Sequence, residues 1–380
     1  QILFILKHKI IIILRLICLH LLRALKKRKK CNLNKDCTYV MFNEKNKNIF
    51  FGYYDICPFN IDDTKMLACR TAIKFNNTKK NKLMDIGYYD VSNKKDTPFI
   101  CVATTDLWCW QQGCRLQWIN YNGDNNSKHI IYNKSVNGHY GCIIQNIDTH
   151  EIVSEIDNPI YSLHSSGQSA ISLNFSRLQR LRPGYGYNIN HDQWKNDDAP
   201  KEDGIWYVDL EKNAKTLIFS LFDAQNFQPQ DSMHDATHYF NHLCWNPSGT
   251  RFLVFHIWQG VDKKRKIRLL TMDKDGKNIF PVTNETHVSH YWWKSDDEII
   301  LYSTHFNTGE KFHIYQDKTE NYDIIGDNIL KGGGHPSLHS KHSWMLSDTL
   351  VNHLSERNLY IYHLEKNKKI DLASFFSPPH

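Results

Sequence analysis

From about residue 50 the chain alternates short runs of β-branched and aromatic residues with polar, turn-forming stretches. The three-to-four-residue spacing of amphipathic helices is almost absent. The runs also repeat. An apolar strand, a turn of the Asn-Pro-Ser-Gly-Thr-Arg type and a second apolar strand recur near Tyr54, Arg115, Ile160, His242, His290 and His335, and an outer pair of strands follows most of them. The last three units start 48 and 45 residues apart, the length of one four-stranded propeller blade. A sandwich offers similar strands but not six copies of one turn at blade spacing. The expected fold is therefore all-β, a β-propeller over residues 38–380. Six blades are visible: either the ring has six, or, as favoured here, a seventh lies in Thr38–Phe51 or past the end at Ser377–His380. The third and fourth units start 82 residues apart, and the excess is an insertion, residues 176–203. Long loops of this kind run over a surface and carry function more often than strands do.

Residues 1–30 read differently. Ile10–Leu22 is apolar but broken by Arg15 and His20, and Lys26–Lys30 follows as a basic cluster. A spanning helix wants about 20 apolar residues, and a cleavable signal carries its charges before the apolar run. The segment is expected to be a short membrane-associated helix, either interfacial or a signal anchor. The basic cluster then places the following domain on the cytoplasmic side, peripheral or anchored to the inner membrane.

Composition narrows the function. Hydrophobic residues at 41% and aromatics at 13% supply a core. The net charge of +7 is concentrated in residues 7–30, so the remainder is slightly acidic and a nucleic-acid partner is not expected. Ten cysteines show neither a C-x-x-C pair nor zinc-finger spacing and read as free thiols, although Cys31/Cys37 and Cys109/Cys114 are close enough in sequence to pair. Phosphate-binding glycine loops and the G-x-S-x-G elbow are missing.

Aligning the units on their turns places Ile56, Arg115, Ile160, His242, His290 and His335 at one point of the innermost strand. Inner strands surround the axis, so three histidines from consecutive blades are expected to converge there. Neutral imidazoles so gathered make ligands for one divalent ion; a structural histidine duplicated with the repeat is the competing reading. Arg115 faces the same tunnel and suits bidentate capture of a carboxylate, with Gln112 nearby as an amide ligand. The insertion supplies Arg177, Arg180, Arg182, Tyr185 and Tyr187 as a cationic, aromatic cover for an acidic, sugar-like ligand. His238 and Asp348 are expected behind the ligands, orienting them.

These residues carry a resemblance. The runs from Phe51 (FGYYDICPFN), Trp108 (WCWQQGCRLQW), Phe175 (FSRLQRLRPGYGY), Asn241 (NHLCWNPSGTRF), Val288 (VSHYWW) and Gly334 (GHPS) resemble a bacterial family of propellers found among surface-polysaccharide biosynthesis proteins, some labelled glycosyltransferases. More distantly, residues 238–349 are similar to oligogalacturonate lyase, a seven-bladed propeller of the TolB/WD40-like kind. The second resemblance implies that His242, His290 and His335 match manganese-ligand positions, with a glutamine as a further ligand. It also implies a basic residue, nearest to Arg115 here, that removes a proton for β-elimination from a uronate. Three functions stay open: a metal-dependent enzyme acting on an acidic oligo- or polysaccharide, a non-catalytic glycan-binding or scaffold propeller in polysaccharide biosynthesis, and a protein-interaction propeller with structural histidines.

Overall fold

The computed structural model describes residues 31–73, 83–92, 97–125, 127–339 and 343–377. The expected membrane segment, residues 1–30, lies outside them. Among the described residues no helix is long and apolar enough to cross a membrane.

The described chain folds into six antiparallel sheets, each ordered along the sequence from inner to outer strand. Their inner strands are Asn48–Phe50, Gln117–Trp118, Ser162–Leu163, Thr237–Trp245, Val288–Trp293 and Ser337–Leu338. The fold is a six-bladed β-propeller. The seventh blade expected from the sequence is not formed by Thr38–Phe51. Asn48–Phe50 instead pairs with Lys65–Thr71 and becomes the innermost strand of blade 1. Cys31–Leu33 adds a fifth strand to the outer edge of blade 6, with Cys31 opposite Phe375 and Leu33 opposite Ala373.

Side-chain chemistry explains why the same short turn closes so many blades. In blade 4 the buried Asn246 side-chain oxygen accepts the Arg251 N–H at 3.1 Å, and in blade 1 Asn60 accepts the Thr64 and Lys65 N–H groups at 2.9 and 2.8 Å. Gly249 (φ +70°) completes the turn where any Cβ would strike the His164 ring of blade 3. A tryptophan ending the inner strand then ties each of three blades to the one before it. Trp118, Trp245 and Trp293 donate through Nε1 to the carbonyls of Pro58 (2.9 Å), Ser162 (3.2 Å) and Cys244 (3.1 Å).

Buried apolar clusters fill the interfaces of blades 1 with 2, 2 with 3, 3 through 5, and 5 with 6. Between blades 6 and 1 lies a cleft of about 380 Å³ lined by Tyr39, Met41, Ile49, Met66 and Phe375. The insertion leaves blade 3 between its second and third strands, Ser169–Ser172 and Gly204–Asp209, and begins with a seven-residue helix, Phe175–Leu181. All nine described cysteines are free thiols, including Cys31, Cys37, Cys109 and Cys114.

Candidate functional site

The inner strands break their ladders where they pass the axis. Blade 4 loses register between Asn241 and Cys244, and blade 5 between Val288 and Tyr291, which frees His242 and His290 from the pleat. His242 and Arg115 both adopt φ of 55°, a left-handed conformation that a branched or bulky residue adopts only at a cost of roughly 1–2 kcal/mol. In blade 1 the excursion is longer and runs from Phe51 to the Phe59–Met66 bridge. It is Tyr53, Tyr54 and Asp55 that reach the axis from this blade. Ile56 is not the equivalent of Arg115 there.

The lower part of the site is a closed polar network. Arg115, 1% exposed, holds Asp55 bidentately through Nη1 (3.2 Å) and Nη2 (3.1 Å), donates Nε to the Tyr161 carbonyl at 2.7 Å and lies 4.1 Å above the Tyr161 ring. Asp55 also accepts the Tyr291 hydroxyl at 3.2 Å. Burial pulls the Arg115 guanidinium down, but the Asp55 carboxylate outweighs it and holds the group above its ordinary value. Tyr54 crosses the axis, donating its hydroxyl to the Tyr291 carbonyl (3.1 Å) and accepting the Tyr291 N–H (2.8 Å). Arg115 is therefore a cross-blade pin joining blades 1, 2 and 3, with each of its three guanidinium nitrogens already engaged.

The upper part holds the histidines. The rings of His290 and His335 stand 3.9 Å apart. His242 stacks on Tyr53 at 5.3 Å, and Tyr53 meets the edge of His335 at 6.3 Å. The half-buried His335 bonds Asp348 Oδ1 through Nδ1 at 2.8 Å, and its backbone N–H donates to the same oxygen. Burial alone would raise the Asp348 carboxyl; the hydrogen bonds from His335 and the nearby Arg357 hold it below the usual range. Burial pushes His290 down to about 3, aided by His335, and pushes His242 well below its ordinary value, aided by Arg182 and His290. Both imidazoles are neutral at physiological pH.

Unpaired atoms mark this region. Gln112 donates Nε2 to the Tyr161 hydroxyl at 2.7 Å, and that hydroxyl reaches Asn241 Oδ1 at 3.2 Å and accepts the His242 N–H at 3.1 Å. Gln112 Oε1, Asn241 Nδ2, His242 Nδ1 and Arg182 Nε are buried without a partner. An amide oxygen and neutral imidazole nitrogens are suitable donors for a divalent cation, so the residue types fit one. Among the described residues, no group of three or more His, Cys, Asp or Glu side chains stands ready-made to hold a metal.

The insertion divides its residues between site and scaffold. Arg182 stacks on Tyr185 at 4.0 Å, donates to its hydroxyl at 3.1 Å, and is the charge that most depresses His242 after burial. Tyr185 meets His242 edge-on at 6.0 Å. Arg177 is instead buried in backbone, donating to the carbonyls of His238, Trp194, Asp197 and Asp198. Arg180 pairs with Asp192 at 2.9 Å. Tyr187 is buried against Phe175 at 4.4 Å and bonds Asn133. His238 bonds His256 (2.9 Å) and the Met233 carbonyl (3.3 Å) rather than His242, and burial holds it down at about 4. Sequence reasoning missed Tyr53, Tyr54, Asp55, Asn241 and Tyr161. An arginine expected at a propeller axis calls for a buried carboxylate, and the only acid in the FGYYDICPFN run is Asp55.

No family model matches the chain, and neither does any curated protein sequence. Many solved structures do. An oligogalacturonate lyase in complex with manganese superposes with a TM-score of 0.55 at 13% identity, covering 86% of this chain and 78% of that one. The β-propeller domain of the trilobed protease from Pyrococcus furiosus gives 0.44 at 13% identity, covering 81% and 79%. TolB from Acinetobacter baumannii gives 0.43 at 13% identity, covering 79% and 62%. At such identities the lyase likeness establishes the fold: the chain is a β-propeller with distant similarity to that enzyme's architecture.

Proposed function

We propose that the axial mouth binds a divalent cation and an acidic saccharide, and that the chain is a metal-dependent propeller enzyme of the lyase type. One observation carries the reading. His290 and His335 stand ring to ring, His242 joins them through Tyr53, and burial keeps His242 and His290 neutral while His242 Nδ1 and Gln112 Oε1 have no partners. Buried polar atoms are normally satisfied, and unsatisfied ones at a site of converging donors suit a ligand. His242, His290, His335 and Gln112 would hold the cation. When bound, it would neutralise a uronate carboxylate and make the adjacent C–H more acidic, as β-elimination requires.

The chain's own groups orient the substrate. Asp348 fixes the His335 tautomer through Nδ1 and leaves Nε2 as the ring nitrogen with the lone pair. Arg182 keeps Nε free for a carboxylate while its ring contact with Tyr185 holds the guanidinium in place. Tyr53 and Tyr185 give flat faces against which a sugar ring can pack. The engagement of Arg115 by Asp55 favours a second reading, in which the same mouth binds an acidic glycan within polysaccharide biosynthesis without turning it over.

The test is metal content by mass spectrometry on residues 31–380, beside a His242→Ala/His290→Ala/His335→Ala variant. Oligouronates are then incubated with the loaded protein and followed by the ultraviolet absorbance of the unsaturated product. A stoichiometric metal that disappears from a still-folded variant supports the site, and new absorbance supports the lyase. Binding without absorbance selects the second reading. A wild type that stays metal-free after supplementation with Mn, Zn, Ca and Fe overturns the metal site.

A further inference from the structure

Blades 2 and 3 and the insertion enclose a second cleft, away from the axis, of about 320 Å³. This lies within the size range of small-molecule sites. None of its lining residues belongs to the histidine cluster. Ser172 and Trp206 are register partners on neighbouring strands of blade 3, so their side chains stand on the same face. Trp206 is half-buried, with Lys215 Nζ 4.8 Å from its ring, whereas Val208 on the same face is fully buried. Opposite stand Asp157 and Asn158 of blade 2, and the insertion closes the cleft with Asn190, His191 and Trp194. Trp194 is held rigidly: its N–H donates to Asp192 at 3.1 Å and its carbonyl accepts from the buried Arg177 at 3.1 Å.

Two polar groups in the wall are unusual. The Ser172 hydroxyl, on a residue 3% exposed, has no hydrogen-bond partner among the described residues although it lines the cleft. Asp203, equally buried, accepts from Asn174 at 2.8 Å and from the Gly204 N–H at 2.9 Å, and burial raises its carboxyl above the ordinary value. An indole plane beside an unused hydroxyl, a primary amide and carboxylates is a surface for a polyhydroxylated ring. The apolar C–H face of the ring packs on the indole, and its hydroxyls meet groups that donate and accept. The lining sets the carboxylates of Asp157 and Asp203 against the single ammonium of Lys215, and that balance disfavours an anionic guest.

We propose that this cleft is a binding subsite for a neutral sugar residue, which stacks on Trp206 and hydrogen-bonds to Ser172 and Asn158. The assignment goes beyond the axial reading and does not depend on it. The helix Phe175–Leu181, roughly 10 Å long, runs from the cleft toward Arg182, so both sites share the insertion as a wall.

The test titrates the full chain calorimetrically with cello-, manno-, xylo- and maltotetraose. At least one should bind, at least tenfold more weakly to Trp206→Ala and with unchanged affinity to the His242→Ala/His290→Ala/His335→Ala variant. Ser172→Ala supplies the safeguard if Trp206→Ala fails to fold. It should weaken the same ligand severalfold while raising the melting temperature, because an unsatisfied buried hydroxyl has been removed. No binding by any tetrasaccharide, or equal affinity in the two cleft variants and wild type, overturns the proposal. So does a loss of binding confined to the histidine variant.

Discussion

Replacing Asp55 by Asn tests the reading of Arg115 as a pin. The pair is nearly inaccessible, with side chains 1% and 2% exposed, and joins blades 1 and 2 while the Arg115 Nε reaches blade 3. Asparagine keeps the shape and part of the hydrogen bonding but leaves a buried guanidinium without its counter-charge. Breaking a buried pair from one side costs about 3–5 kcal/mol. An unfolding entropy of ~2.1 cal/mol/K per residue gives ~0.7 kcal/mol/K over roughly 350 residues, so the melting temperature should fall by roughly 4–7 °C. Removing both charges, as Asp55→Leu/Arg115→Met, should recover most of that loss, since matched apolar replacements of buried pairs are often neutral. Differential scanning calorimetry on wild type, Asp55→Leu, Arg115→Met and the double variant closes the cycle and gives the coupling directly. A single variant that melts within about 1 °C of wild type, or a double variant whose loss is additive, refutes the reasoning and returns Arg115 to the set of groups free to meet a ligand.

Acidification should destabilise the fold through its buried histidines. The folded-state values of His290 (about 3) and His238 (about 4) lie below the ordinary 6.5, so the stability they contribute is complete above pH 6.5 and is lost as pH falls toward those values. The melting temperature should decline from pH 6.5 to pH 4, and His290→Gln should flatten the decline; a flat wild-type profile contradicts this. Trp245→Phe removes the inter-blade donor to Ser162 and should cost about 1–3 kcal/mol in urea unfolding, with an unchanged midpoint counting against the latch. Arg182→Gln should weaken oligouronate binding at least tenfold while shifting the melting temperature little. Equal affinity by titration calorimetry would remove Arg182 from the mouth.

The repeat was legible because blade chemistry is local: strand alternation, an asparagine-anchored turn and an inner-strand tryptophan all lie within a dozen residues. The equivalence of Arg115 and His242 was legible for the same reason, and both share one backbone conformation. Blade 1 was misread at the axis because its excursion from the ladder, Phe51–Pro58, is longer than the two-residue bulge at His242 and Leu243, so counting back from the turn lands on Ile56. The insertion was the hardest part. Arg177, Arg180 and Arg182 look interchangeable in sequence, yet only the third meets the histidines; the first is consumed by four backbone carbonyls and the second by Asp192. Which arginine faces a ligand is decided by tertiary partners that local spacing does not encode.

The pairing of Cys31 with Phe375 sets the two ends of the described chain side by side on the rim of the disc, an antiparallel step of about 5 Å apart. Anything joined to either end, whether a surface, a partner or a further stretch of polypeptide, therefore takes hold of the same edge.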